Sequence, residues 1–204
     1  MGFFDKSKKK SIYEKKQLII ITGCAGSGKT TIGKKLAQQL EYAYVDKDTV
    51  TRDYTDFILK KLGSFEGDRE SELYKNFILP IEYRVTLKLC REILENGSNV
   101  VLTIPFISQI KDYLKWIELY NNAKFKADTQ FKFIWIEHNI DTEKANIKKR
   151  NASRDKHKIE HWDEYAESVN GIAPAAEYKA YNYVNDCEIN QNGALDEVIA
   201  WIKK

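Results

Sequence analysis

Gly23, Gly28, Lys29 and Thr30 stand at the spacing Gly-x-x-x-x-Gly-Lys-Thr, with Gly26 between them. Residues in that order do one kind of chemistry well, the holding of a phosphate chain. Glycine admits backbone angles that a side chain forbids. The successive N–H groups of Gly23, Cys24, Ala25, Gly26, Ser27, Gly28, Lys29, Thr30 and Thr31 can therefore converge on phosphate oxygens. Lys29 then reaches the β- and γ-phosphates, and the Thr30 hydroxyl a magnesium ion. The spacing predicts a site for a nucleoside triphosphate.

A second group lies in "YVDKDTVTRDY", where Asp46 and Asp48 alternate and Arg52 follows one helical turn later. Phosphoryl transfer to a hydroxyl needs one carboxylate to orient and deprotonate the attacking oxygen. A second holds magnesium through water. The bland reading is that Asp48 or Thr49 caps the next helix. Further on, Arg150 and Arg154 lie four apart beside Lys148, Lys149, Lys156 and Lys158. Two inward-facing arginines on a lid over 148–165 would clamp a moving phosphoryl group and expel water; otherwise the stretch is a solvated basic helix. His157-Lys158-Ile159-Glu160-His161 has the form of a zinc-peptidase motif. A zinc site needs a third protein ligand within a chain already committed to phosphate binding, so that reading is set aside. Arg69, Tyr74, Glu82, Tyr83 and Arg84 suit a ring or an anionic group on a second substrate. A core helix with solvated charges explains them about as well.

These groups need elements to position them. Leu18–Ile21 reads as a buried strand, and Ile32, Leu36 and Leu40 as one face of the helix that follows the glycines. Further strands are predicted over 42–46, 99–104, 131–137 and near 184–189. Helices are predicted over 49–62, 70–95, 107–121, 142–151 and 195–202. Alternation of this kind makes a parallel sheet covered on both faces, an α/β fold, with ligands beyond the carboxyl ends of the strands.

At 204 residues, 43% hydrophobic and 31% charged, the chain reads as one soluble domain over 17–204, preceded by a basic flexible arm over 1–16. No apolar run reaches the roughly 20 residues needed to span a bilayer, and Met1–Lys16 is too polar for a signal peptide. Myristoylation is discounted because Lys6 stands where Ser or Thr is expected. The net charge of +3 is too small to argue for nucleic acid. Cys24, Cys90 and Cys187 form no CxxC pair, which fits a reducing cytoplasm.

The phosphate loop, "VDKDTVTR" and "RNASRDKHKIEHWDEY" together resemble the small P-loop kinases of the zeta-toxin, chloramphenicol phosphotransferase and polynucleotide 5′-kinase grouping, and bacterial AAA-type ATP-binding proteins. The resemblance covers most of 17–190. It implies a P-loop fold with a five-stranded parallel sheet, an arginine lid, acceptor-pocket helices over about 50–97, and Mg2+-dependent transfer from ATP to a hydroxyl of a small metabolite or antibiotic. By motif match, Lys29 meets phosphate, Thr30 and Asp46 magnesium, Asp48 serves as base, and Arg150 and Arg154 form the lid. Arg52, Arg69, Tyr83 and Arg84 are the expected acceptor contacts. One departure stands out: Thr103 or Pro105 replaces the magnesium-binding Asp that many P-loop proteins carry after the third strand. That absence counts against a motor or switch ATPase, and the lack of Asn-Lys-x-Asp against a GTPase. Polynucleotide 5′-hydroxyl kinase, nucleotide-sugar kinase toxin and non-catalytic nucleotide-binding switch are the alternatives. The resemblance names neither the acceptor nor the oligomeric state.

Overall fold

A computed structural model describes residues 15–137, 139–185 and 191–204, with the side chains of 191 and 192 excepted. The expected arm therefore falls outside the described residues except at its last two positions, and so does Cys187. Five strands, β1 Gln17–Thr22, β2 Ala43–Asp46, β3 Val100–Thr103, β4 Gln130–Glu137 and β5 Tyr181–Val184, form one sheet in the order β2-β3-β1-β4-β5. Every pairing is parallel.

β1 shows why this sheet is covered on both faces. Its side chains alternate in direction, yet Leu18, Ile19, Ile20 and Ile21 are all fully buried. Leu18 and Ile20 join one core with Leu102, Phe106, Trp116 and Phe133. Ile19 and Ile21 join the other, with Ile32 and Leu36 of α1 (Lys29–Leu40) and Val198 of α9 (Gln191–Ile202). Each such aliphatic side chain contributes about 1.5–3 kcal/mol on burial. The strand that carries the phosphate loop is thus held from both faces.

The remaining helices are α2 Lys47–Lys61, α3 Leu79–Glu95, α4 Ile107–Lys111, α5 Tyr113–Ala123, α6 Ile140–Arg150, α7 Lys156–Glu160 and α8 Trp162–Val169. Two differ from expectation. The periodicity over 70–95 predicts one helix, but a π-helical turn at Tyr74–Ile78 precedes α3. Pro80 lies in the first turn of α3; it has no N–H to give to the preceding turn, so the ladder shifts there. The helix expected over 107–121 divides at Asp112, whose carboxylate accepts from Leu114 N at 3.1 Å and starts α5 afresh. β5 also lies earlier than expected, overlapping the predicted 184–189 only at Val184.

Candidate functional site

The loop between β1 and α1 turns on glycines that nothing else can replace. Gly26 has φ 83° and Gly28 φ 95°. A Cβ on the first would lie 2.7 Å from the Glu143 carbonyl, and one on the second 2.4 Å from Asn185 Nδ2. α1 begins at Lys29 with no side-chain cap, so its first N–H groups face the cavity. Lys29 folds over the loop, donating to the carbonyls of Gly23 at 2.9 Å and Cys24 at 2.7 Å. Burial lowers its pKa. Burial pushes the Cys24 thiol up to about 12, which makes it a packing group and not a nucleophile.

Three side chains from distant elements clasp this loop. Asn146 of α6 donates to Gly26 O at 2.8 Å, and Asn185, just after β5, donates to Ser27 O at 2.7 Å. The Tyr165 hydroxyl of α8 accepts from Ala25 N at 3.1 Å. Sequence reasoning missed all three. The only signal was that Asn185 follows a strand, where ligands gather in such sheets.

Asp46 ends β2 directly beside Thr103, the last residue of β3. Its Oδ1 accepts from Thr49 N at 2.9 Å, so Asp46, and not Asp48 or Thr49, caps α2. Its Oδ2 accepts from Thr103 Oγ1 at 2.8 Å and Thr30 Oγ1 at 3.2 Å. The residue that replaces the expected third-strand acid therefore orients an acid borrowed from the neighbouring strand. Thr30 and Asp46 together give the small hard-oxygen set that suits Mg2+, which keeps waters and substrate phosphates as its other ligands. Among the described residues no cluster of three or more His, Cys, Asp or Glu could hold a metal by itself, and the His157–His161 motif forms no zinc site.

Asp48 sits in the first turn of α2 against two cations, Lys47 Nζ at 3.2 Å and the Arg154 guanidinium. Burial alone would raise its pKa; Lys47 and Arg154 overcome that and hold the carboxyl well below the usual carboxylate range. Lys47 is itself 3% exposed and paired with the fully buried Glu82 of α3. Glu82 further accepts from Thr51 at 3.1 Å, Thr55 at 2.6 Å and Tyr74 at 2.8 Å. A closed polar network thus lies under Asp48. Glu82 was a candidate from sequence, whereas Lys47 was not.

Lys29, Thr30, Asp46, Asp48, Arg52, Arg69, Arg150 and Arg154 all line one cavity of about 590 Å³. Arg150 is held bidentately by Asp155, at 2.8 Å through both Nε and Nη2. Arg69 is fixed by Asp56 at 3.1 Å and lies over the Tyr74 ring. Tyr83 and Arg84 require correction. Tyr83 is buried edge-on against Phe106 at 4.8 Å, and Arg84 points outward from α3; neither lines the cavity. The helical phase that turns Glu82 and Tyr83 inward necessarily turns Arg84 to solvent.

A family model described as an AAA domain matches residues 18–172. The chain belongs to the AAA domain family. This AAA domain is 41% identical over 111 residues to shikimate kinase 2 of Yersinia pseudotuberculosis, covering 54% of this chain and 61% of that protein. It is 40% identical over 50 residues to shikimate kinase of Synechococcus elongatus, covering 24% and 26%. The matched stretches thus span between a quarter and about three-fifths of these curated relatives. Among solved structures it resembles a sugar kinase from Janibacter sp. (TM-score 0.58, 14% identity, 93% and 95% of the two chains). It also resembles shikimate kinase from Bacteroides thetaiotaomicron (TM-score 0.53, 17%, 92% and 98%). At such identities the likeness is one of fold, a five-stranded parallel sheet with helices on both faces.

Proposed function

We propose that this AAA domain transfers the γ-phosphoryl group of ATP, with Mg2+, to a hydroxyl of a small molecule. The observation that carries the reading is the convergence on one cavity of a phosphate loop, the Thr30–Asp46 oxygen pair, an ionised carboxylate at Asp48 and two arginines. The names of the relatives, shikimate kinases and a sugar kinase, support a small hydroxylated acceptor. The resemblance to the zeta-toxin and chloramphenicol phosphotransferase grouping belongs to the same reading.

The loop N–H groups and Lys29 hold the phosphate chain. Thr30 and Asp46 would hold Mg2+, which would supply positive charge to the phosphate chain. Asp48 accepts the hydrogen bond of the acceptor hydroxyl and aims its oxygen at phosphorus. As the oxygen–phosphorus bond forms and the bond to the leaving ADP breaks, the hydroxyl proton passes to the Asp48 carboxylate. Arg154, beside Asp48, and Arg150 line the cavity in which charge develops on the phosphoryl group.

Acceptor-dependent ADP release tests the reading, since a nucleotide-binding switch hydrolyses slowly with no response to any acceptor. Lys29→Ala should retain the fold and lose at least about 10²-fold in turnover. Survival of more than a few per cent of the rate would remove the loop from the chemistry.

A further inference from the structure

A second cleft, of about 820 Å³, opens between the segment 65–75 and the lid segment 153–168. It joins the nucleotide cavity at Arg69, Arg154 and Lys158, which line both. Arg154, at the junction, is paired with Asp48, so the two spaces meet beside that carboxylate.

The cations of the cleft are already engaged. Arg69 pairs with Asp56 at 3.1 Å, and Arg154 with Asp48. Lys75 and Lys158 share Glu70, the first at 3.3 Å, and Lys156 faces Glu160 at 3.9 Å. Five cations line the walls with five acids, Glu66, Asp68, Glu70, Glu160 and Glu164, so the lining carries no net charge with the histidines neutral. An anionic ligand would have to strip a carboxylate from its partner and then sit among the acids left behind. Arg52, whose charge is exposed, borders the nucleotide cavity and not this cleft.

What the cleft offers instead is ring faces and hydroxyls. His157 and His161 stack at 4.5 Å with 25° between their planes. Phe65, an aromatic left 63% exposed, and Tyr165 line the same space, with the hydroxyls of Ser71, Ser153 and Ser168. Flat apolar faces with scattered hydroxyls fit a ring that carries hydroxyls but no charge.

We propose that this cleft seats the body of the phosphoryl acceptor, and that the acceptor is a neutral hydroxylated ring compound, the chemistry shared by free sugars and nucleosides, and not an acid or a phosphate ester. The proposal rests on the phosphotransferase reading above.

The experiment measures ADP release with matched acceptors: a free hexose against its aldonic acid, and a nucleoside against its 3′-monophosphate, with shikimate as a further acid. The neutral member of at least one pair should exceed its acid at least tenfold in kcat/KM, and which pair responds separates sugar from nucleoside. For that acceptor, Phe65→Ala and His161→Ala, both surface changes, should each raise KM at least tenfold and leave KM for ATP within twofold. Preference for the acids overturns the acceptor class and leaves phosphotransfer standing. An acceptor KM unmoved in both variants overturns the cleft as the seat. ADP release with none of the compounds, by protein that binds ATP, overturns phosphotransfer and the acceptor class together.

Discussion

At Asp48 a single carboxylate joins two roles that pull apart. Lys47 and Arg154 keep it charged and in place, whereas the proposed phosphotransfer asks it to take a proton from the acceptor hydroxyl. Asp48→Asn keeps the shape but not the charge, so kcat should fall roughly 10²–10⁴-fold while ATP affinity stays near normal. Normal turnover in that variant, with Asp46→Asn inactive, would exchange the roles of the two acids. Beneath it, Lys47→Met leaves the fully buried Glu82 carboxyl without its cation, and should cost about 3–5 kcal/mol in denaturant unfolding. Lys47→Met with Glu82→Gln should recover much of that loss; equal losses in the single and double variants would show that packing, not charge, holds the pair. The Lys47–Glu82 pair was illegible in the sequence because the two residues lie on different helices and either one alone reads as a surface charge. The Gly23–Thr31 loop was legible for the opposite reason, that its chemistry is carried by adjacent residues.

Among the elements, α6 does more than carry Arg150. It brings Glu143 under the phosphate loop, fully buried, with its backbone against Gly26. Burial pushes the Glu143 carboxyl up to about 7 from 4.5, against the opposing pull of Lys29. The folded protein then keeps a proton that the unfolded chain releases. Stability from this group is fully present below about pH 4.5, falls as pH rises to about 7, and is flat beyond, a decline of roughly 1–3 kcal/mol. Glu143→Gln should remove that part of the slope between pH 5 and 8, measured by denaturant midpoints; an unchanged slope would place the titration elsewhere. Strands and most helices were readable from apolar periodicity. Helix phase and breaks were not: Pro80 and Asp112 interrupt runs whose hydrophobic spacing continues straight through. Tyr83 and Arg84 were misplaced for the same reason, since composition marks a residue as aromatic or charged without saying which way its helix turns it.

On the scale of the molecule, the segment 153–168 is tied to α2 through Arg154–Asp48 and to the segment 65–75 through Lys158–Glu70, with Gly67 packed against the Arg154 backbone. Arg154→Ala should lower kcat more than it weakens ATP binding, because the guanidinium is needed as charge develops on the phosphoryl group. An unchanged kcat would reduce it to a structural tie. No helix among the described residues is long and apolar enough to cross a membrane. The strand order carries one more consequence, for the chain as it leaves the ribosome. β1 emerges before every other strand of the sheet, but its neighbours are β3 and β4, with Leu18 beside Val100 and Gln17 beside Gln130. Contacts so distant in sequence form slowly and leave apolar strand edges open meanwhile. Asn185, which clasps the loop at Ser27 from 158 residues away, arrives later still. The phosphate loop therefore leaves the ribosome before the strands that brace it and takes its working shape only after them, and a nascent chain halted before β4 would hold the whole motif without the complete sheet.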